Sequence, residues 1–521
     1  MNLLVRISGF FIILGETLLA PFLWLLDSLP RQRVPPIKDE LLLLSATQLA
    51  KKIRNQQVSC EEVIKSYINR IREVNPIINA VSEERYESAM HEAREADRFI
   101  KNHYLSKEKL KNLKPFFGVP ITLKECCGVE GLTWSVGSRL REGIRAYEDS
   151  EALKRLKGAG FIPLLVSSVP EYCVGLESIN LVNGWTKNPY NTNRTSGGSS
   201  GGEGALLGSG ASVVGLGTDF AGSIRIPCQF NGIYGHKTTS RIVPKKGFYP
   251  DTTDDRTYDY FTIGPMTRYV EDLMPMLKIL SGAEGTCLNL SEKVDLSKLK
   301  VFFSKGKYDQ FGVPKVQKEI VAGINEARQY LESHLSMETE EIEIEDFKHG
   351  FEICIMMYLT LGGLPNFLEN PNNPKKDLNV YMEVLKNLMG KSRLSLFVLM
   401  FIILYRYTGF IPKSHFPYYQ KKMERMKSQF NEALGDNGVF IYPSFPSSAF
   451  GHYRTATRAY GICFSMIFNV MGCPSTQIPI GFDKSGMPIG LQIVAAPKQD
   501  RLCLAVAEEL SKRFGGWVPP T

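Results

Sequence analysis

The 521-residue chain lacks the short motifs that identify several large classes of protein. Its ten cysteines include no CxxC pair, and none of its seven histidines has a histidine or cysteine at metal-ligand spacing. We therefore expect reduced cysteines, no metal site and no cofactor. The net charge of +8 is spread along the chain, and no run of Lys and Arg is interleaved with aromatic residues. The sequence thus argues against nucleic-acid binding.

One long apolar run is present, and it lies at the N-terminus. Residues 3–26 are interrupted only by Arg6 and Glu16. As a helix this run would reach about 36 Å, more than the roughly 30 Å of a bilayer core. A cleaved signal peptide is the alternative, but no small-x-small cleavage site follows the run. We expect a transmembrane helix in residues 1–30, a linker in 31–40 and a catalytic domain in 41–521.

Charges beside this run favour one orientation. Arg31 and Arg33 follow the run, whereas Arg6 alone precedes the centre, which places the body on the cytoplasmic side. The basic balance of the chain also suits an anionic membrane surface. We expect a single-pass protein of an endomembrane, either the endoplasmic reticulum or lipid droplets, with membrane lipid as a partner.

Helix caps and buried strands indicate an α/β body. Ser45 to Gln48 and Ser59 to Glu62 fit capping boxes. The runs FFGVPITLK and GFIPLLVSS are typical of buried strands, and helical patterns precede or follow them. A second apolar run, residues 394–412, has an uncharged part too short to span a bilayer. It is either a core helix or a surface patch that dips into the membrane.

The stretch TSGGSSGGEG, residues 195–204, admits three interpretations. A flexible linker would continue polar, but a small-residue and apolar segment follows. A phosphate loop would need GxGxxG or a Gly-Lys-Ser/Thr, and neither is present. Ser199 fits the GxSxG nucleophile elbow, but turn residues precede it where that motif needs a strand. A serine-rich site without histidine remains.

A hydroxyl nucleophile needs a base, and in this sequence the remaining choice is lysine. A lysine accepts a proton only when it is neutral, and burial favours the neutral form. Lys124 ends the apolar run GVPITLK, so its local sequence is the one that best predicts burial. We therefore select Lys124 as the candidate base.

Residues 197–228, GGSSGGEGALLGSGASVVGLGTDFAGSIRIPC, resemble the signature segment of the amidase signature family of serine hydrolases. PFFGVPITLKE and MGCPSTQIPIGFDKSGMPIGLQIVAAPKQD extend the resemblance over roughly residues 41–517. The resemblance implies an α/β fold in which helices cover both faces of a central mixed, mostly parallel sheet. The N-terminal run, Lys124-Glu125 and the closing FGGWV are similar to the branch of the family that hydrolyses fatty-acid amides.

The resemblance implies a Ser–Ser–Lys triad. Ser223 would be the nucleophile, Ser199 the bridging serine after a cis peptide bond, and Lys124 the base. The proton of Ser223 would pass through Ser199 to Lys124, and water would then hydrolyse the acyl-enzyme.

The resemblance also implies an oxyanion hole and a supporting shell. The oxyanion donors would be the backbone N–H groups of Phe220, Ala221, Gly222 and Ser223. The supporting residues would be Ser200, Asp219 and Arg225, the last two as an ion pair. Ala221 stands where the fatty-acid amide branch has glycine, and a positive φ there would cost about 1 kcal/mol.

Together these features predict a membrane-anchored serine amidase that cleaves fatty-acid primary amides and N-acylethanolamines to free fatty acid and amine. The alternatives are an amidase for small polar amides, an amidotransferase-like subunit, and a non-catalytic lipid-binding membrane protein. We expect a lipophilic amide as substrate and a homodimer as the assembly. The residues of the second run expected to touch the membrane are Leu396, Phe397, Leu399 and Phe401.

Overall fold

The computed structural model describes residues 30–102, 106–306, 314–369, 376–407 and 411–520, and six residues between 14 and 25. The N-terminal transmembrane helix expected in residues 1–30 lies almost wholly outside this part of the chain. Within the described ranges, no helix combines the length and apolar character needed to cross a bilayer.

Strands of the body form one large sheet. Its order is β1-β3-β2-β6-β8-β7-β12-β13-β11-β9-β10, and β4 pairs with β5 separately. The strands are β1 Val81–Glu84, β2 Pro120–Lys124, β3 Ile162–Ser167, β4 Ile179–Asn180, β5 Gly184–Trp185, β6 Val214–Asp219, β7 Tyr234–Lys237, β8 Thr262–Thr267, β9 Lys300–Phe303, β10 Glu338–Glu341, β11 Gly438–Tyr442, β12 Ser475–Phe482 and β13 Pro488–Ala495.

The predicted α/β class and the mixed sheet are confirmed, with a correction to the strand directions. Four of the ten neighbouring pairs in the described part of the large sheet are parallel: β2 with β3 and β6, and β9 with β10 and β11. The other six pairs are antiparallel, so the expected parallel majority holds only in those two blocks. One reason is the short connection between β12 and β13, because a hairpin joins only antiparallel strands.

Helices surround the sheet. Every residue of β2, β3, β6, β8, β11 and β13 is buried, and successive residues face opposite sides, so both faces of these strands are covered. The helices are α1 Ala46–Arg54, α2 Cys60–Ile78, α3 Tyr86–Asn102, α4 Lys107–Leu113, α5 Glu151–Gly158, α6 Gly201–Gly208, α7 Arg225–Phe230, α8 Thr257–Tyr260, α9 Leu273–Ser281, α10 Lys318–Leu335, α11 Gly350–Leu359, α12 Val380–Leu388, α13 Leu396–Arg406, α14 Phe416–Leu434, α15 Thr455–Arg458, α16 Cys463–Val470 and α17 Asp500–Phe514.

Local signals in the sequence produce the elements they predict. Ser45 and Ser59 cap α1 and α2, and each accepts a hydrogen bond from the residue three positions on, in a complete capping box. The two apolar runs become β2 and β3, which pair in parallel. Beneath them, one face of α2 is buried at the helical spacing that the sequence shows.

The linker expected at residues 31–40 contacts the body. The N–H of Gln32 donates to Thr192 Oγ1 at 3.0 Å, and Val34 is buried. Arg70 donates to the carbonyl of Pro35 at 2.8 Å. The segment therefore belongs to the surface of the catalytic body.

The second apolar run forms α13, which is both core helix and surface. Val398, Leu399 and Ile402 are buried on one side of the helix. Leu396 and Phe397 are exposed on the other side. The prediction that Leu399 touches a membrane is wrong, because its side chain is fully buried. Residues 408–410 of the run lie outside the described residues.

Candidate active site

Lys124 lies at the end of β2, inside the sheet. Neighbouring β3 and β6 flank the strand, and all five of its side chains are buried, as the apolar run predicts. Its Nζ hydrogen-bonds to Ser199 Oγ at 2.7 Å and to Thr218 Oγ1 at 2.7 Å. A lysine in contact with two hydroxyl groups and no carboxylate can, when neutral, receive a proton from one of them.

Ser199 reaches Lys124 from the start of α6. The peptide bond between Gly198 and Ser199 is cis, as the resemblance implies. A Cβ at Gly198 would lie 2.5 Å from the carbonyl oxygen of Gly175, so only glycine fits there. The residues directly before Ser199 form no strand, and this agrees with the rejection of the nucleophile elbow.

Ser223 lies in the turn between β6 and α7. It is partly exposed, whereas Lys124 and Ser199 are buried. The N–H of Ser200 donates to the carbonyl of Ser223 at 3.2 Å, and Ser200 Oγ donates to the carbonyl of Thr218 at 3.3 Å. Ser200 therefore joins the two serine-bearing segments, which fits its predicted supporting role.

The turn from Phe220 to Ser223 depends on one glycine. Gly222 has φ +107°, and a Cβ there would lie 2.7 Å from Ser465 Cβ. Ala221 does not adopt a positive φ, so the conditional cost of replacing glycine does not arise. The Gly222 N–H donates to Asp219 Oδ1 at 2.8 Å. Asp219 therefore accepts from one of the four predicted oxyanion donors. The N–H groups of Phe220, Ala221 and Ser223 are the donors that remain for an oxyanion.

Asp219 and Arg225 form the predicted pair at the base of this turn. Both side chains are fully buried, and Arg225 Nε and Nη2 lie 3.1 and 3.0 Å from the two carboxylate oxygens. Burial alone would raise the pKa of Asp219, but the charge and hydrogen bonds of Arg225 hold that pKa well below its usual value. A permanent carboxylate thus accepts the N–H groups of Gly222 and Ile224.

The chain matches known proteins over most of its length. A family model described as Amidase matches residues 62–504. The chain belongs to the amidase signature family. It is 39% identical over 492 residues to fatty-acid amide hydrolase 2-A of Danio rerio, which covers 94% of this chain and 92% of the relative. The chain is therefore an amide-hydrolysing enzyme.

More distant relatives share the fold. A glutamyl-tRNA(Gln) amidotransferase subunit of Maridesulfovibrio salexigens is 26% identical over 504 residues, covering 91% of this chain and 98% of the relative. A solved fatty acid amide hydrolase superposes with a TM-score of 0.71 at 21% identity, over 91% of this chain and 86% of the other. This structural likeness establishes the architecture of the enzyme.

Several residues of the site escaped the sequence reasoning. Thr218 contacts Lys124 and lies 3.6 Å from Cys126 Sγ; the only signal was its position next to Asp219 on β6. Asn469 and Gln492 hydrogen-bond to Arg225 from segments more than 240 residues away. Sequence separation hides such partners until the chain is folded.

Tyr358 on α11 also belongs to the site. Its hydroxyl donates to the carbonyl of Phe220, and the two rings meet edge to face with centroids 4.7 Å apart. Burial raises the pKa of Tyr358 well above its usual value, so the hydroxyl stays a donor. Tyr358 therefore fixes the first residue of the predicted oxyanion turn.

Metal chemistry gains no support from side-chain positions. Within the described ranges, no group of three His, Cys, Asp or Glu is placed to hold a metal ion. All ten cysteines carry free thiols. The predicted absence of a cofactor stays a prediction.

Proposed function

We propose that this enzyme hydrolyses lipophilic amides, namely fatty-acid primary amides and N-acylethanolamines, at a membrane surface. The observation that carries the proposal is an apolar outer surface that lies one loop away from Ser199. The similarity of the chain to a fatty-acid amide hydrolase supports the same substrate class.

The chemistry combines the observed contact between Lys124 and Ser199 with the roles that the family resemblance implies for Ser199 and Ser223. Ser223 attacks the amide carbonyl, Ser199 takes the Ser223 proton, and Lys124 accepts the Ser199 proton across their 2.7 Å hydrogen bond. Protons return along the same path to the leaving amine, and water then releases the fatty acid from Ser223. The N–H groups of Phe220, Ala221 and Ser223 stabilise the oxyanion, each by about 3–4 kcal/mol, whereas that of Gly222 is bonded to Asp219.

The outer surface is formed by the helix pair α12 and α13. We call it the outward apolar surface, because its large apolar side chains are exposed together on one helix pair. It consists of Tyr381, Met382, Leu385, Leu388, Met389, Leu396, Phe397, Met400, Leu404 and Tyr407. Such a surface suits the acyl region of a bilayer.

Phe397 links this surface to the catalytic serines. A Cβ at Gly175 would lie 3.5 Å from the Phe397 ring, so this ring packs beside the loop at residues 175–177. The same loop packs on Gly198, directly before Ser199. An acyl chain that leaves the bilayer along α13 would therefore arrive beside the triad.

A second candidate is hydrolysis of small polar amides or glutamine, as in an amidotransferase-like subunit. Its support is the 26% identity to a glutamyl-tRNA(Gln) amidotransferase subunit. The outward apolar surface argues for the lipophilic substrate, because acetamide and glutamine have no long acyl chain that a membrane would hold.

Hydrolysis of matched substrates tests the proposal. The full-length enzyme should release ammonia from oleamide and ethanolamine from an N-acylethanolamine in liposomes, with little turnover of acetamide or glutamine. Ser223→Ala should abolish both this hydrolysis and labelling by a fluorophosphonate probe. Preference for glutamine over oleamide would instead support the second candidate, and an unlabelled wild-type enzyme would remove Ser223 as the nucleophile.

A further inference from the structure

Glu203 is a buried carboxyl behind the triad that the mechanism does not use. It lies on α6, four residues after Ser199, and its side chain is fully buried. A Cβ at Gly215 of β6 would lie 1.9 Å from Glu203 Oε2, so the sheet leaves room for this carboxyl only at a glycine. The carboxyl thus sits in a space shaped for it between α6 and the sheet that carries Lys124.

Glu203 begins a row of three short contacts. Glu203 Oε2 lies 2.6 Å from Thr122 Oγ1, and Thr122 Oγ1 lies 2.9 Å from Ser212 Oγ. Ser212 Oγ lies 2.9 Å from the carbonyl oxygen of Val214. Each contact needs one hydrogen, and a carbonyl can only accept.

Counting hydrogens assigns the protonation state. Ser212 donates its one hydrogen to Val214, so the hydrogen between Thr122 and Ser212 must come from Thr122. The hydrogen between Glu203 and Thr122 must then come from the carboxyl. An ionised Glu203 would leave one of the three contacts without a hydrogen, at a distance where two oxygen lone pairs repel.

One further observation agrees with a neutral acid. Burial raises the pKa of Glu203 to about 7. The titratable groups that face it are Lys124, Cys126, Cys127 and Cys228.

Neutrality matters because of the neighbouring base. Thr122 and Lys124 lie two residues apart on β2, so their side chains share one face at a spacing of about 7 Å. A negative charge on Glu203 would stabilise the ammonium form of Lys124 and oppose its role as proton acceptor.

We propose that Glu203 is held as a neutral carboxylic acid, and that this neutrality makes it a positioning residue that protects the base function of Lys124. The inference rests on the proposed role of Lys124. It predicts that activity is lost where Glu203 ionises, without any contact between Glu203 and substrate.

Glu203→Gln tests the proposal, because glutamine has the same shape, can donate to Thr122 and cannot ionise. We would compare rates of Ser223 labelling by a fluorophosphonate, and of oleamide hydrolysis, in variant and wild type from about pH 6 to about pH 8. The ratio of variant to wild type should rise about tenfold across this range, since a group with a pKa of about 7 becomes mostly ionised there. Asp272→Asn, which removes a buried carboxyl elsewhere, should leave its own ratio flat.

Three outcomes would overturn the proposal. The first is a ratio for Glu203→Gln that does not change with pH. The second is a folded Glu203→Gln that labels at no pH, because the charge would then be required. The third is failure of both Glu203→Gln and the apolar Glu203→Met to fold, judged by circular dichroism and thermal unfolding. A wild type that is not labelled at all would instead refute the proposed role of Ser223.

Discussion

The site around Lys124 and the helix pair α12–α13 reverse the usual distribution of polarity. Around Lys124, hydroxyl, carboxyl and guanidinium groups are buried in the centre of a large sheet. On α12 and α13, leucine, methionine and aromatic side chains face outward, with Leu388 73% exposed. Both arrangements cost free energy of folding, through desolvation in the first and exposed apolar area in the second.

The two regions differ in how they meet that cost. Buried polar groups of the site satisfy one another, as Asp219 and Arg225 do. Large apolar side chains of the outward apolar surface stay exposed, and we expect a bilayer to cover them. In the proposed function, the buried polar groups would serve bond cleavage and the exposed apolar groups would serve capture of a lipophilic substrate.

The largest expected effect concerns the base in the buried region. Lys124→Met keeps the length of the side chain but removes the proton acceptor, so hydrolysis and Ser223 labelling should fall by about 10²–10⁴-fold. Thr218→Val, which removes only one hydrogen bond to Lys124, should cost about tenfold. Time courses of fluorophosphonate labelling measure the loss of rate in each variant.

Circular dichroism should show both variants folded. Equal losses in Lys124→Met and Thr218→Val would contradict the assignment of Lys124 as the base, since a structural role would not separate them.

Arg225→Met should have the next largest effect, on stability. It leaves the Asp219 carboxylate buried without a counter-charge, and breaking such a pair costs about 3–5 kcal/mol. Arg98→Ala is the matched control, because its 2.8 Å pair with Glu95 is exposed and should contribute less than about 1 kcal/mol. Urea unfolding of the two variants measures both values.

The double variant Arg225→Met with Asp219→Asn sharpens this test. Removing the stranded charge should recover part of the loss. Because the pKa of Asp219 is lowered in the folded state, the pair stabilises the fold above about pH 4 and loses this effect as pH falls. A stability loss in Arg225→Met that is the same at pH 3 and pH 7 would argue against an ion pair.

Local features of this fold could be predicted from sequence, whereas pairing could not. The capping serines Ser45 and Ser59 act within one helical turn, and the run before Lys124 needs only its own apolar side chains to become a buried strand. Strand direction depends on the connections between distant elements. Antiparallel pairs such as β12 with β13 therefore appear only in the folded structure.

The same distinction applies to the site. The cis bond before Ser199 lies within the contiguous signature, and the contact between Lys124 and Ser199 joins two segments that both carry the family resemblance. Thr218, Tyr358 and Asn469 act through hydrogen bonds that depend on how separate segments pack. The sequence predicts that the run forming α13 is either a core helix or a surface patch, but it does not show which side chains are exposed. A continuous apolar run has no periodicity that separates a buried face from an exposed one.

The outward apolar surface should contribute to membrane binding. Leu388→Ser, Met400→Ser and Leu404→Ser together should weaken liposome binding by about 3 kcal/mol, or about a hundredfold, if each side chain enters the bilayer. The measurement is liposome co-sedimentation of a chain that begins at Pro30, which keeps the contacts of Gln32 and Val34 with the body.

Exposed leucines elsewhere provide the control. Leu43→Ser and Leu113→Ser remove two exposed leucine side chains outside α12 and α13 and should leave binding unchanged. Equal liposome binding of the triple variant and this control would contradict the proposed membrane contact. Turnover of a soluble amide should be the same in both.

The smallest expected effect is a pH dependence that only the buried polar body should show. Burial raises the pKa of Asp272 to about 6, and its carboxylate accepts the N–H groups of Ala46 and Thr47 at 2.9 Å. The folded state therefore binds its proton more tightly than the unfolded chain, whose aspartates titrate near 3.9. The free energy of unfolding should fall, on the order of 2 kcal/mol, as pH rises through this window and should stay lower above it.

Urea unfolding at pH 4, 5, 6 and 7 should show this slope in the wild type and in the Leu388, Met400 and Leu404 triple variant, but a flatter one in Asp272→Asn. An equal slope in all three would mean that burial of Asp272 does not set it.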